Sequence, residues 1–108
     1  MLYLNASDSL LDKWRKSIDL YYAMHLSGFF EEIKSVTFSL EEVSATSGRV
    51  FRCQLHVVPQ VGHTISSSVE RENCLAAIDY SFAKAKRQMQ RRSRGMSREL
   101  LLGDLANG

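Results

Sequence analysis

Residues 74–95, CLAAIDYSFAKAKRQMQRRSRG, carry two periodic signals at once. Leu75, Ile78, Phe82, Ala85 and Met89 recur at spacings of three and four, which aligns one apolar stripe on a helix. Lys84, Arg87, Arg91 and Arg94 fall at i, i+3, i+7 and i+10, on roughly the opposite side of the wheel. The stretch therefore predicts a helix that docks one face on an apolar surface and turns a row of cations outward. Glu72 or Asn73 is placed to cap its start, and Gly95 to end it. Residues 96–108 then read as a flexible tail, with at most a short turn of helix through Leu100–Leu102.

The surface on which such a helix docks is written upstream. Val36, Phe38 and Leu40 alternate with Ser35, Thr37 and Ser39; Phe51, Cys53, Leu55 and Val57 alternate with Arg52, Gln54 and His56. Ile65, Ser67 and Val69 alternate with Thr64, Ser66 and Ser68. A period of two with a polar opposite face predicts an antiparallel sheet covered on one side only. Residues 45–48 and 59–62 (ATSG and PQVG) supply the hairpin turns. Nearer the start, Leu2 and Leu4 mark a short first strand. Ser9 is the expected N-cap of a first helix, with Asp12 completing a loose capping box, and Leu11, Trp14, Ile18, Tyr21, Tyr22 and His25 form its stripe. Ser27-Gly28 stops that helix. The order is β-α-β-β-β-α, an α+β fold with two helices packed on one face of a four-stranded, mostly antiparallel sheet.

At 108 residues the chain has room for one modest core, and 44% apolar with 24% charged residues is an ordinary globular composition. No apolar run is long enough to span a membrane, and the first residues lack the pattern of a signal peptide. Two cysteines without framework spacing read as free thiols in a reducing cytoplasm. The net charge of +2 hides a division: residues 1–48 hold four Lys/Arg against seven Asp/Glu, whereas 84–98 hold seven Lys/Arg and no acid. Such a block is a solvated basic surface or an anion-binding one.

The order of elements and the last helix together resemble the short ribosome hibernation-promoting factors, also called the sigma-54 modulation or ribosome-associated inhibitor family. Ala76-Ala77-Ile78-Asp79, then Lys84, then Arg87-Gln88 match that family's AAID-x4-K-x2-RQ pattern, and Ile33-Lys34-Ser35-Val36 matches its entry into the second strand. The likeness covers about residues 1–94, so residues 1–95 form the expected hibernation-factor-like domain. It implies a non-catalytic protein that binds rRNA of the small ribosomal subunit near the decoding region and promotes hibernation under stress. The implied partner is that subunit, with no membrane, small-molecule substrate or cofactor, and a monomer off the ribosome. By resemblance Lys84, Arg87 and Arg91 are rRNA contacts, with Arg94 continuing the row and Lys13 and Lys16 extending it from the first helix. One departure is plain: the family's first helix carries lysines in its C-terminal half, whereas no Lys or Arg lies between Lys16 and Lys34 here.

Other chemistry finds little support. No nucleophile elbow, phosphate loop, dinucleotide fingerprint or HExxH stands in the chain. His25, His56 and His63 are scattered over a helix, a strand and a turn, without partners at metal-ligand spacing. Trp14, Tyr21 and Tyr22 read as core packing ahead of a base-stacking platform. Cys53 reads as core, and Cys74 lies in a first turn where the helix dipole lowers a thiol pKa. Two readings compete with ribosome binding: a protein-interaction or regulatory domain whose basic helix docks an acidic partner, and a general double-stranded-RNA module. The second usually has a lysine-rich start to its final helix, where this chain has Glu70-Arg71-Glu72-Asn73.

Overall fold

A computed structural model describes the backbone of residues 1–46 and 48–107, and the side chains of 1–44, 46 and 48–92. The alternating segments become four strands, β1 (Leu2–Asn5), β2 (Ile33–Ala45), β3 (Gly48–Pro59) and β4 (Ile65–Arg71), side by side in chain order. Helix α1 (Asp8–Leu26) and a 3-10 turn (Ser27–Glu32) join β1 to β2, and α2 (Cys74–Asn107) follows β4. β2, β3 and β4 pair antiparallel as a meander. β1 pairs parallel with β2, because a helix-length crossover brings the chain back to start a second strand at the same end. The predicted α+β order is the one observed.

Register sorts the side chains. Leu4, Phe38, Leu55 and Ser67 form one row across the sheet, Leu2, Val36, Val57 and Ile65 the next, and Leu40, Cys53 and Val69 a third. Ile18 and Leu26 of α1 and Ala77, Ile78, Phe82, Ala85 and Met89 of α2 are buried in one cluster with these strand residues. Phe38 and Phe82 stack with centroids 5.1 Å apart at its centre. Trp14 is half-buried against the same cluster. The opposite rows, Thr37–His56–Ser66 and Ser39–Gln54–Ser68, carry no helix.

Three details differ from expectation. Ser7, not Ser9, is the N-cap of α1: it is extended (φ −63°, ψ 154°) and its hydroxyl accepts from the Leu10 amide at 3.4 Å. That starts the helix at Asp8, whose carboxylate suits the positive end of the dipole. Leu75 is 39% exposed. The apolar stripe is rotated a fraction of a turn, so Cys74 and Ser81 lie inside and Leu75 on the rim. Finally, α2 does not stop at Gly95 but runs on to Asn107, so 96–107 is helical where a tail was expected. A single interior glycine costs only about 1 kcal/mol relative to alanine, and Met96, Arg98, Glu99 and Leu100–Leu102 are strong helix formers.

Candidate nucleic-acid interface

What α2 shows to solvent depends on how its first turns are held. The Asn73 carboxamide oxygen accepts from the Ala76 amide at 3.0 Å, which caps the helix as the sequence suggested. Half a turn beyond Ala77, His25 Nε2 of α1 lies 2.6 Å from Asp79 Oδ1, joining the two helices. The buried Ser81 hydroxyl donates to the Ala77 carbonyl at 2.8 Å, so it adds no unpaired polar group to the core. With Ile78, Phe82, Ala85 and Met89 against the sheet, the outward stripe is Tyr80, Lys84, Arg87 and Arg91.

Arg87 and Arg91 are exposed and Lys84 is half-buried. The side chain of Arg94, fourth in the predicted row, lies outside the described residues. Tyr80 was not anticipated. Its ring, 40% exposed, has the Arg87 guanidinium carbon 5.5 Å from its centroid and that of Arg71, at the end of β4, at 4.7 Å. Each such contact is worth about 0.5–1 kcal/mol at an exposed site. Tyr80 could have been read from its helical spacing to Lys84 and Arg87. Arg71 could not, because strand pairing and a chain reversal bring it there.

Lys13 and Lys16 are exposed on α1. Lys13 Nζ lies 5.3 Å from the Trp14 ring centroid, and its charge is felt at the Cys74 thiol. From Cys74 to Arg87 is roughly 20 Å along a helix axis, so Lys13 is set well back from the outer half of the row. Arg92, next to Arg91 in sequence, leaves the stripe altogether. Its guanidinium lies in the space that a Cβ on Gly62 would fill, under the β3–β4 turn, where Gly62 has φ +96°. A block of like charges is thus split by helical geometry into outward and inward members.

Two arginines of the sheet are neutralised. Arg52, on the uncovered sheet face, donates from Nε to Glu70 at 2.7 Å and from Nη1 to Glu41 at 2.9 Å. These hydrogen bonds, Glu70's first, hold its pKa above the usual arginine value. Arg49 pairs with Glu42 at 3.3 Å. Among the described residues no carboxylate lies within ion-pair distance of Arg71, Lys84, Arg87 or Arg91.

The remaining candidates are structural. Burial pushes the Cys53 thiol up to about 12 and the Cys74 thiol to about 11. Desolvation outweighs the nearby Lys13 charge at Cys74, so neither is an activated nucleophile. Tyr22 lies between Phe30 and Phe82, at 5.0 and 6.0 Å, and burial raises its pKa. Tyr21 stacks on His25. No three His, Cys, Asp or Glu side chains gather as a metal site among the described residues, and no described helix is long and apolar enough to cross a membrane.

No protein-family model and no curated protein sequence matches the chain. Solved structures do. The N-terminal domain of Thermus thermophilus Protein Y superposes with a TM-score of 0.64 at 18% identity, covering 84% of this chain and 98% of that domain. A ribosomal subunit interface protein from Coxiella burnetii superposes with a TM-score of 0.68 at 13% identity, covering 86% and 97%. The chain shares their fold. That is the fold implied by the AAID-x4-K-x2-RQ resemblance, and both neighbours are matched over nearly their whole length. At these identities the likeness speaks for architecture, and the residues must speak for the site.

Proposed function

We propose that this chain is a ribosome-associated translation inhibitor of the hibernation-promoting kind. It binds rRNA of the small subunit near the decoding region and excludes mRNA and tRNA by occupancy. The observation that carries the reading is the row Lys84, Arg87 and Arg91, unpaired by any described carboxylate, on the helix of the AAID-x4-K-x2-RQ pattern. The fold supports it, since one solved neighbour is a ribosomal subunit interface protein. Cations at helical spacing track phosphates and release their counterions, which makes affinity steep in salt. Arginine adds a planar fork that grips phosphate oxygens in pairs. Recognition is then by backbone and shape, the usual mode for folded RNA. No chemical step is required, and the setting is the cytoplasm of a stressed cell.

The test is a cell-free translation titration at fixed ribosome concentration, with sedimentation of the same mixtures. Half-inhibition near one protein per ribosome, co-sedimentation with small subunits and reversal by a high-salt wash are expected. Lasting inactivation at about a hundredth of an equivalent would identify an enzyme instead. Absence of inhibition and co-sedimentation at large excess would favour the protein-interaction reading, for which exposed Leu20 and Met24 on lysine-poor α1 are the relevant surface.

A further inference from the structure

The Tyr80 cluster extends the interface beyond the helix. Arg71 belongs to an edge strand and Arg87 to the middle of α2, yet both guanidinium groups lie against one half-exposed ring. Two like charges drawn together repel, and the negative face of the ring offsets only part of that repulsion. A carboxylate would relieve it, as at Arg52, which has two. Here none is within reach among the described residues, and Arg71 spends one N–H on the carbonyl of its neighbour Glu70, at 2.7 Å. Neither guanidinium group makes another hydrogen bond among the described residues. Two cations on one ring without a carboxylate suit an anion from outside.

We infer that Arg71 and Arg87, held by Tyr80, form a two-guanidinium clamp for the phosphate backbone of RNA, continuing the α2 row onto the edge of the sheet. This inference rests on the RNA-binding reading above and adds two residues to it. Arg71 is a direct contact. Tyr80 is a positioning residue, which acts by keeping the two forks adjacent and limiting their freedom before binding. Phosphate fits better than a base, because the Tyr80 ring already carries two guanidinium groups, and both arginines are exposed and can donate N–H groups to phosphate oxygens.

The experiment measures binding of the full chain to purified small ribosomal subunits and to a short RNA hairpin, across a salt series. The variants are Arg71→Ala, Tyr80→Leu and Tyr80→Phe. Arg71→Ala is expected to flatten the salt slope by up to about one unit. Tyr80→Leu removes no charge, so affinity should fall roughly two- to fivefold per lost contact with the slope nearly kept. Tyr80→Phe retains the ring and should bind like the parent. Parent-like binding by Arg71→Ala and Tyr80→Leu on both probes overturns the clamp while leaving the ribosome reading intact. Binding to the hairpin that depends on Arg71, with none to subunits, supports the clamp and overturns the ribosome reading. A parent that binds neither probe overturns both. Thermal midpoints of the three variants within a few degrees of the parent exclude misfolding as the cause.

Discussion

The uncovered face of the sheet and the outer face of α2 both present arginine, in different company. On that face Arg52 is enclosed by Glu41 and Glu70 from the flanking strands, while Arg49, on the other side of the same hairpin, meets Glu42. On α2, Arg87 and Arg91 meet no described carboxylate, and Arg87 lies over an aromatic ring shared with another arginine. Cross-strand partners bring opposite charges together as part of register, so the sheet satisfies itself. A helix could do the same with acids at i−4 or i+4, but from Lys84 to Arg98 the sequence supplies none. Pairing separates a finished surface from an unfinished one.

The largest expected effect breaks the unfinished surface. Lys84→Ala, Arg87→Ala and Arg91→Ala combined should flatten the salt dependence of small-subunit binding by roughly two to three units, about one per phosphate contact. Folding should persist, because all three lie opposite Ile78 and Phe82. Arg49→Ala with Arg52→Ala, measured beside it, should leave binding as it was. If the sheet variant loses affinity as strongly as the helix variant, the contrast between the faces carries no functional meaning.

A second effect tests the core that divides the two faces. Burial raises the thiol pKa of Cys53 to about 12 and of Cys74 to about 11, whereas an exposed thiol ionises near 9. Between pH 9 and 11 the unfolded chain therefore binds fewer protons than the folded one, and stability must fall as pH rises. Below pH 9 this contribution is fully present. Urea titrations at pH 8 and pH 10.5 should show the fall, and Cys53→Val should reduce it. An equal fall in the variant would place the alkaline sensitivity elsewhere.

Smaller still is the effect of unfinishing the sheet. Glu41→Gln with Glu70→Gln leaves Arg52 without its carboxylates, and because these are exposed pairs the thermal midpoint should move only slightly. The informative readout is weak binding to an RNA hairpin at low salt, which should strengthen modestly as Arg52 becomes available. No change in that binding would mean that freeing a cation is insufficient and that the helical row matters for its spacing.

Much of this contrast was legible in the sequence. The alternation of Val36, Phe38 and Leu40 with serines and threonine, repeated in β3, identified both the sheet and its bare side, because a period of two has one geometric meaning. The spacing of Lys84, Arg87 and Arg91 located the row for the same reason. What escaped depended on pairing between distant segments. A four-residue strand such as Leu2–Asn5 carries no mark of direction, so its parallel partnership with β2 came only with the fold. The neutralisation of Arg52 required two flanking strands in register, and the Arg71–Tyr80–Arg87 cluster required a strand end to meet a helix. Gly95 misled because one weak residue was weighed against none of its neighbours.

That first strand has a consequence for how the molecule breathes. β1 is hydrogen-bonded on one edge only, over four residues, with the Val36 amide donating to the Met1 carbonyl at 2.8 Å near its start. β3, by contrast, is bonded along both edges and roofed by α2. Amide hydrogens of Cys53, Leu55 and Val57 should exchange with solvent only when the whole domain unfolds, whereas those contributed by β1 should exchange through a cheaper, partial opening. Such an excursion detaches the N-terminus while β2–β3–β4 and α2 remain assembled, since none of their pairings runs through it. The row of cations would thus keep its geometry even in the conformers where the chain's beginning has come loose.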